Sequence, residues 1–226
     1  KMVHLKRLST PRSWPVKRKE NTYISKPSPG PHTQKTAIAI NVILRDILEY
    51  SKTVRETKKV LHDKQVMVNE RIVQDHRFPV GILDQISIEA MKETFVLLYK
   101  ENGKLFLQKM GKEKHDRALK IVNKTILSKN RVQLNLYDGE NIIVDKDTFK
   151  VGDSIILENK KVKKHLKFEK GALVYLVGGK HIGAIGSLEE VKKTQGFEKE
   201  RIIVGMKKEK IETAKEYAFV IDKPFE

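Results

Sequence analysis

Cysteine is absent from this chain of 226 residues. Its absence excludes disulfides and thiolate metal sites, and it fits an intracellular compartment. Aromatic residues are scarce, with one tryptophan, Trp14. No run approaches the 18 apolar residues of a membrane-crossing helix, and no signal-peptide core is present. The order Lys1-Met2 points to a start other than the native one. Enzymatic signatures are missing as well. Gly178-Gly179-Lys180 lacks the G-x-x-x-x-G-K-[ST] spacing, because His181 stands where a hydroxyl residue should follow the lysine. There is no G-x-S-x-G elbow. The seven histidines are scattered without an H-x-x-x-H pair, so no metal and no cofactor are expected.

Charge is what the chain has in excess. A third of its residues are charged, and the formal net charge is +17. Such an excess repels itself in a compact chain and calls for a polyanionic partner, nucleic acid before an anionic membrane. The surplus is uneven. Residues 1–36 carry nine cations against one acid, and residues 101–168 carry sixteen against nine. Residues 37–100 and 169–226 each carry a surplus of only one.

Residues 1–36 hold five of the seven prolines and show no sustained periodicity. They are expected to form an extended basic arm, disordered when free, that folds along RNA. Lys6, Arg7, Arg12, Lys17, Arg18 and His32 would meet phosphate, with Trp14 stacking on a base. The arm should be removable without unfolding the rest.

Residues 37–93 read as one domain, organised around the stretch Ala37–Ile88. Ile40, Ile43, Leu44, Ile47 and Leu48 recur at helical spacing. Thr53-Val54-Arg55-Glu56 then matches a capping box. In the helix it starts, Arg55, Lys58, Lys59 and His62 share one face, and Val60 and Leu61 mark the opposite side. Strands are predicted at 65–68, 71–73 and 84–88. Beyond Ile88 the period changes to two. Asn102-Gly103 signals a hairpin between 95–99 and 105–109, and short strands follow at 132–136, 142–144 and 155–157; residues 119–127 read as either a strand or a short helix. These define a central all-β unit, a small barrel or sandwich, at 94–168. Its run Lys160-Lys161-Val162-Lys163-Lys164-His165 is the densest positive patch, either RNA-facing or a solvated strand edge blunted by lysines. Residues 169–226 read as strands with a glycine-rich run that carries Lys180, where glycine permits positive φ and close backbone approach.

The last segment resembles a KOW motif of an SH3-like barrel, and Ala37–Ile88 resembles the alpha-L RNA-binding domain. Together with His4-Leu5-Lys6-Arg7, Trp14, Pro27-Ser28-Pro29-Gly30-Pro31-His32 and Phe78–Ile88, these segments resemble the archaeal/eukaryotic "e"-type small-subunit ribosomal protein four family. The resemblance implies an α+β multidomain chain: an extended basic N-terminal arm, an alpha-L RNA-binding domain, a central β-barrel or sandwich, and a C-terminal SH3-like KOW barrel. It implies ribosomal RNA of the small subunit and neighbouring ribosomal proteins as partners. It also implies a cytoplasmic place in the ribosome, with no catalysis, membrane or small-molecule substrate. RNA contact would fall to Arg55, Lys58 and Lys59. Asn69-Glu70 departs from the Asp/Asn-Gly common at that turn, which implies a different turn and a weaker contact. Related RNA-modifying enzymes hold a catalytic aspartate in Gly-Arg-Leu-Asp; here Gly81-Ile82-Leu83-Asp84 replaces the arginine, and a lone carboxylate is not a site. The competing readings are an RNA-modifying enzyme guided by the alpha-L domain and a KOW-containing transcription factor.

Overall fold

Alternating apolar residues and tight turns make this chain mostly β. A computed structural model describes residues 4–111, 117–128, 131–145, 147–158, 161–192, 200–206 and 210–225. They form two compact units, one of Lys1–Tyr99 with Gly103–His115, the other of Lys100–Asn102 with Asp116–Glu226. The expected α+β class narrows accordingly, since the only described helical segments longer than one turn lie within 40–62.

In the first unit the arm is part of the fold, which corrects the expectation of a free tail. Strands β1 (Leu5–Lys6) and β2 (Tyr23–Ile24) pair antiparallel, with buried Leu5 opposite buried Ile24. Trp14 is only 2% exposed. Leu105 donates its N–H to the Ser13 carbonyl at 2.8 Å, and Ser28 donates to the Arg77 carbonyl at 2.8 Å. The proline-rich segment has no regular structure, yet it packs tightly. A Cβ on Gly30 would come within 2.8 Å of Pro79, and one on Gly81 within 2.4 Å of the His32 ring. Burial of Leu5, Trp14 and Ile24 supplies what a disordered arm lacks, namely apolar area to offset ordering.

Strand β3 (Ile38–Ala39) leads into α1 (Ile40–Val42), which continues through Ile47 as a π-helical turn; Leu48 N–H reaches back to the Ile43 carbonyl at 2.9 Å. The widened turn still buries Ile40, Ile43 and Leu44. Helix α2 (Val54–His62) follows, and then β4 (Val66–Val68) and β5 (Arg71–Ile72). The β4–β5 turn holds Asn69 at φ 52° and Glu70 at φ 64°. Two successive left-handed residues make a type I′ turn, so the departure from Gly keeps this hairpin geometry at a cost of about 1 kcal/mol for Glu70. Strand β6 (Pro79–Val80) pairs with β3. Strands β7 (Gln85–Ile88), β8 (Glu93–Tyr99) and β9 (Leu105–Met110) complete a sheet in the order β5-β4-β7-β8-β9. The hairpin expected to open the central unit at 94 therefore belongs to the first unit: Phe95 pairs with Ile86 and Val96 with Gln85.

The second unit contains two five-stranded antiparallel sheets. The first comprises β10 (Ala118–Ile126), β11 (Val132–Leu136), β12 (Asn141–Val144), β13 (Ser154–Glu158) and β14 (Lys161–Leu166), in the order β12-β11-β10-β13-β14. Its core is Leu119, Ile121, Val132, Leu134, Leu136 and Ile155. The second comprises β15 (Leu173–Leu176), β16 (Ile185–Lys192), β17 (Arg201–Gly205), β18 (Lys210–Ala214) and β19 (Ala218–Val220), in the order β18-β17-β16-β15-β19. Gly186 on β16 crosses β17 so closely that a Cβ would lie 2.6 Å from Val204 and 2.7 Å from the Gly205 carbonyl oxygen. The two sheets, expected as separate domains, share one compact unit. Tyr137 meets Phe219 edge-on at 4.8 Å, and Lys120 Nζ donates to the Glu216 carbonyl at 2.7 Å.

Candidate nucleic-acid interface

Helix α2 begins where the sequence demands. Thr53 Oγ1 accepts the Glu56 N–H at 3.3 Å, and Glu56 Oε2 accepts the N–H groups of Lys52 at 2.8 Å and Thr53 at 3.4 Å. The bond from Lys52, then that from Thr53, holds the Glu56 carboxyl below its usual range. One face of the helix is buried through Thr57 and Leu61, with Ser51 and Thr57 hydroxyls 2.7 Å apart. The opposite face carries Arg55, Lys58, Lys59 and His62, all exposed and none ion-paired with a described residue. The only acid on the helix is committed to the cap, so the face stays cationic.

His76 borders this face, and sequence reasoning missed it. Burial, then the charge of Lys58, pushes its pKa down. It lies in a connection without periodicity, so no pattern marks it. Arg71, exposed at the start of β5, was also outside the predicted set.

The arm's predicted residues divide. Lys6, Arg12 and Lys17 are exposed. Arg7 is 1% exposed, and its guanidinium reaches the Lys17 carbonyl at 2.9 Å, Asp46 at 3.2 Å and Glu20 at 3.4 Å. Arg18 holds the carbonyls of Leu8, Thr10 and Pro11 at 3.1–3.3 Å. Trp14 and His32 are buried. Arg7, Trp14 and His32 are thus corrected from RNA contacts to internal fastenings: a ring or guanidinium enclosed by its own fold has no face left for a base or phosphate. The exposed aromatic of the arm is Tyr23, 58% exposed, edge-on to His4 at 5.8 Å. Its place opposite Lys6 depends on the pairing of β1 with β2, which no sequence pattern marks.

His32 Nε2 lies 3.0 Å from Asp84 Oδ2. Asp84 also accepts from Asn69 Nδ2 at 2.8 Å and Gly81 N at 2.7 Å. Burial pushes the Asp84 pKa up, but the bonds from His32, Asn69 and Gly81 outweigh it and hold the group below its usual range. This carboxylate, 2% exposed, joins the arm to the hairpin turn rather than facing a substrate.

In the second unit Lys163 and Lys164 are exposed on β14, an edge strand, and Lys164 pairs with Asp222. His165 points instead at buried Asp153, 2.7 Å away. Lys160 lies outside the described residues, as does the side chain of Lys161. Lys180 is exposed in the glycine loop. Among the described residues no group of three His, Asp or Glu gathers as a metal site would need.

The ribosomal family S4e model matches residues 91–164, and the RS4NT domain model matches residues 3–35. Small ribosomal subunit protein eS4 of Methanosphaera stadtmanae is 38% identical over 226 residues, covering 98% of this chain and 93% of its own. The same-named protein of Archaeoglobus fulgidus is 37% identical over 223 residues, covering 98% and 94%. The crystal structure of the 30S ribosomal protein S4e from Thermoplasma acidophilum matches with a TM-score of 0.71 at 28% identity, over 82% of this chain and 95% of that one. With such likeness along nearly its whole length, the chain belongs to the eS4 family, non-catalytic structural proteins of the small ribosomal subunit.

Proposed function

We propose that this protein is built into the small subunit of the cytoplasmic ribosome, where it holds ribosomal RNA by phosphate and shape contacts beside neighbouring ribosomal proteins. The observation that carries the reading is the α2 face: four cationic or titratable groups on one helix side, exposed and without an ion-paired neighbour among the described residues. Residues 37–93 act as the alpha-L module, with α2 and the Asn69-Glu70 turn against RNA. Residues 169–226 act as a KOW-type barrel; the close crossing at Gly186 and the exposed Lys180 support this. Lys6, Arg12 and Lys17 add phosphate contacts from the folded arm, and Lys163 and Lys164 add them from β14. Asp84 argues against the RNA-modifying alternative, since its oxygens are buried and occupied.

The test is the salt dependence of binding to small-subunit ribosomal RNA. Arg55→Gln, Lys58→Gln and Lys59→Gln keep helix propensity and remove charge. Together they should shallow the log–log slope by about 0.7–0.9 per lost contact, with unchanged thermal unfolding. An unchanged slope removes α2 from the interface.

A further inference from the structure

The outer side of strands β10–β12 is polar but uncharged. Register fixes which residues share it: Asn123 pairs with Asn135, Thr125 with Gln133, Gln133 with Ile143, and Asn135 with Asn141. The alternate residues Leu134 and Val132 lie in the core, with Ile142 and Val144 packed against it. These six outer side chains are exposed or half-exposed, and the register shift between Ile121 and Asn123 sets Val122, 50% exposed, beside Asn123. Of the seven, five are amides or a hydroxyl, two are the aliphatic Val122 and Ile143, and none is charged, in a chain where a third of residues are. Gln133 donates to Asn135 at 2.9 Å, which holds two of the amides in place on the central strand of the three.

We propose that this face docks in the minor groove of a ribosomal RNA double helix; the inference rests on the RNA-binding reading above. A phosphate-binding surface would carry Lys or Arg. A protein-binding patch would concentrate aromatics, Met or Arg at its centre. The A-form minor groove instead offers a wide, shallow, uncharged floor of 2′-hydroxyls and base edges, each able to donate or accept. Three strands at about 4.8 Å spacing present a sheet face roughly 10 Å across, a shape such a groove can receive. Charge complementarity points the same way. The groove's neutral floor lies between anionic walls, and this face sets a cation beside its neutral strands. Arg131, exposed just before β11 and unpaired with any described residue, stands at the edge of the face. The contact reads the 2′-hydroxyl and the groove's shape, with no base stacking, because the face has no aromatic ring.

The experiment uses the full chain and three duplexes of one sequence: RNA, 2′-O-methyl RNA, which keeps the A form but loses the hydroxyl donor, and DNA. The variant Asn123→Ala/Gln133→Ala/Asn135→Ala/Asn141→Ala should bind the RNA duplex roughly tenfold or more weakly at every salt concentration, with its salt slope unchanged. It should bind the 2′-O-methyl and DNA duplexes as wild type does. Thr125→Val/Asn141→Ala leaves the Gln133–Asn135 bond intact and serves if the fourfold variant unfolds; it should lose affinity in the same salt-independent way. Wild-type affinity of the folded variant for the RNA duplex overturns the inference, as does equal loss on all three duplexes. Wild-type protein that binds none of them with a salt slope overturns the RNA-binding reading itself, a separate failure.

Discussion

Asp84→Ala should destabilise the first unit while leaving the stability of the second unchanged. The substitution removes the acceptor of the His32 ring, the Asn69 amide and the Gly81 N–H, all within 3.0 Å. Each of the three buried donors left without its acceptor costs about 1–3 kcal/mol, because it cannot reach water, so the loss is about 3 kcal/mol or more. For a unit of this size each kcal/mol lowers the midpoint by about 4 °C or more, so unfolding should come about 12 °C earlier or more. The assay is built into the sequence: Trp14 is the only tryptophan, buried within the same unit, so its fluorescence reports on that unit alone. Asp84→Asn keeps the volume and one acceptor and should cost less. The pH dependence has a definite sign. The folded carboxyl titrates below its unfolded value of about 3.9. Its stabilisation is therefore complete above that value and is lost as pH falls through the lower folded one. Asp84→Asn should flatten this acid limb. A midpoint for Asp84→Ala within about 2 °C of wild type, with the acid limb unchanged, would refute the role given to this carboxylate.

Two further outcomes follow from burial. Trp14→Ala should destabilise the first unit by about 3–5 kcal/mol, read by circular dichroism; a cost near zero would return the arm to a free tail. Lys120 donates to the Lys215 and Glu216 carbonyls and lies 4.9 Å from the Phe219 ring centre, and burial, then the charge of Lys215, pushes its pKa down to about 8. Above pH 8 the folded chain releases this proton, while the unfolded chain holds it to about 10.4, so stability rises with pH. Relative to Lys120→Met, wild type should gain about 2 kcal/mol in denaturant unfolding between pH 7 and pH 9.5, and a flat difference would show that Lys120 is hydrated.

Local rules were legible, and non-local ones were not. The Thr53–Glu56 capping box, the cationic face of α2 and the hairpin around Asn102-Gly103 follow from local sequence alone. The fate of the arm does not. Cations interleaved with Trp14 read the same whether the ring meets a base or its own core, and Asp46, which decides for Arg7, is 39 residues away. The attachment of β8 and β9 to β7 depends on sheet pairing, which leaves no trace in either strand's alternation. Strand β18 escaped notice because Ile211 is its only buried residue. Strands β11 and β12 were legible from alternation, whereas 119–127 read equally as strand or short helix, and the chemistry of the shared face emerged only once register aligned the amides of all three.

Counting charges by region sorted the chain wrongly, and the structure explains why. The arm carries the largest surplus per residue, yet two of its arginines are turned inward onto carbonyls and carboxylates. A guanidinium held there still adds to net charge, but it cannot also grip a phosphate. The stretch 37–100 counts ten cations against nine acids and appears inert. Its acids, however, are engaged locally: Asp46 by Arg7 and Arg45, Glu56 by the helix cap, Asp84 by His32 and Asn69, Glu93 by Lys109 and Tyr50. None of these four carboxylates forms an ion pair with α2, and its Arg55, Lys58, Lys59 and His62 form none with any described residue, while the regional sum stays near zero. Electrostatic interactions between exposed groups fade over about 8–10 Å in physiological salt. A polyanion at contact would meet that local arrangement, so a nearly neutral module can still present an exposed cationic face.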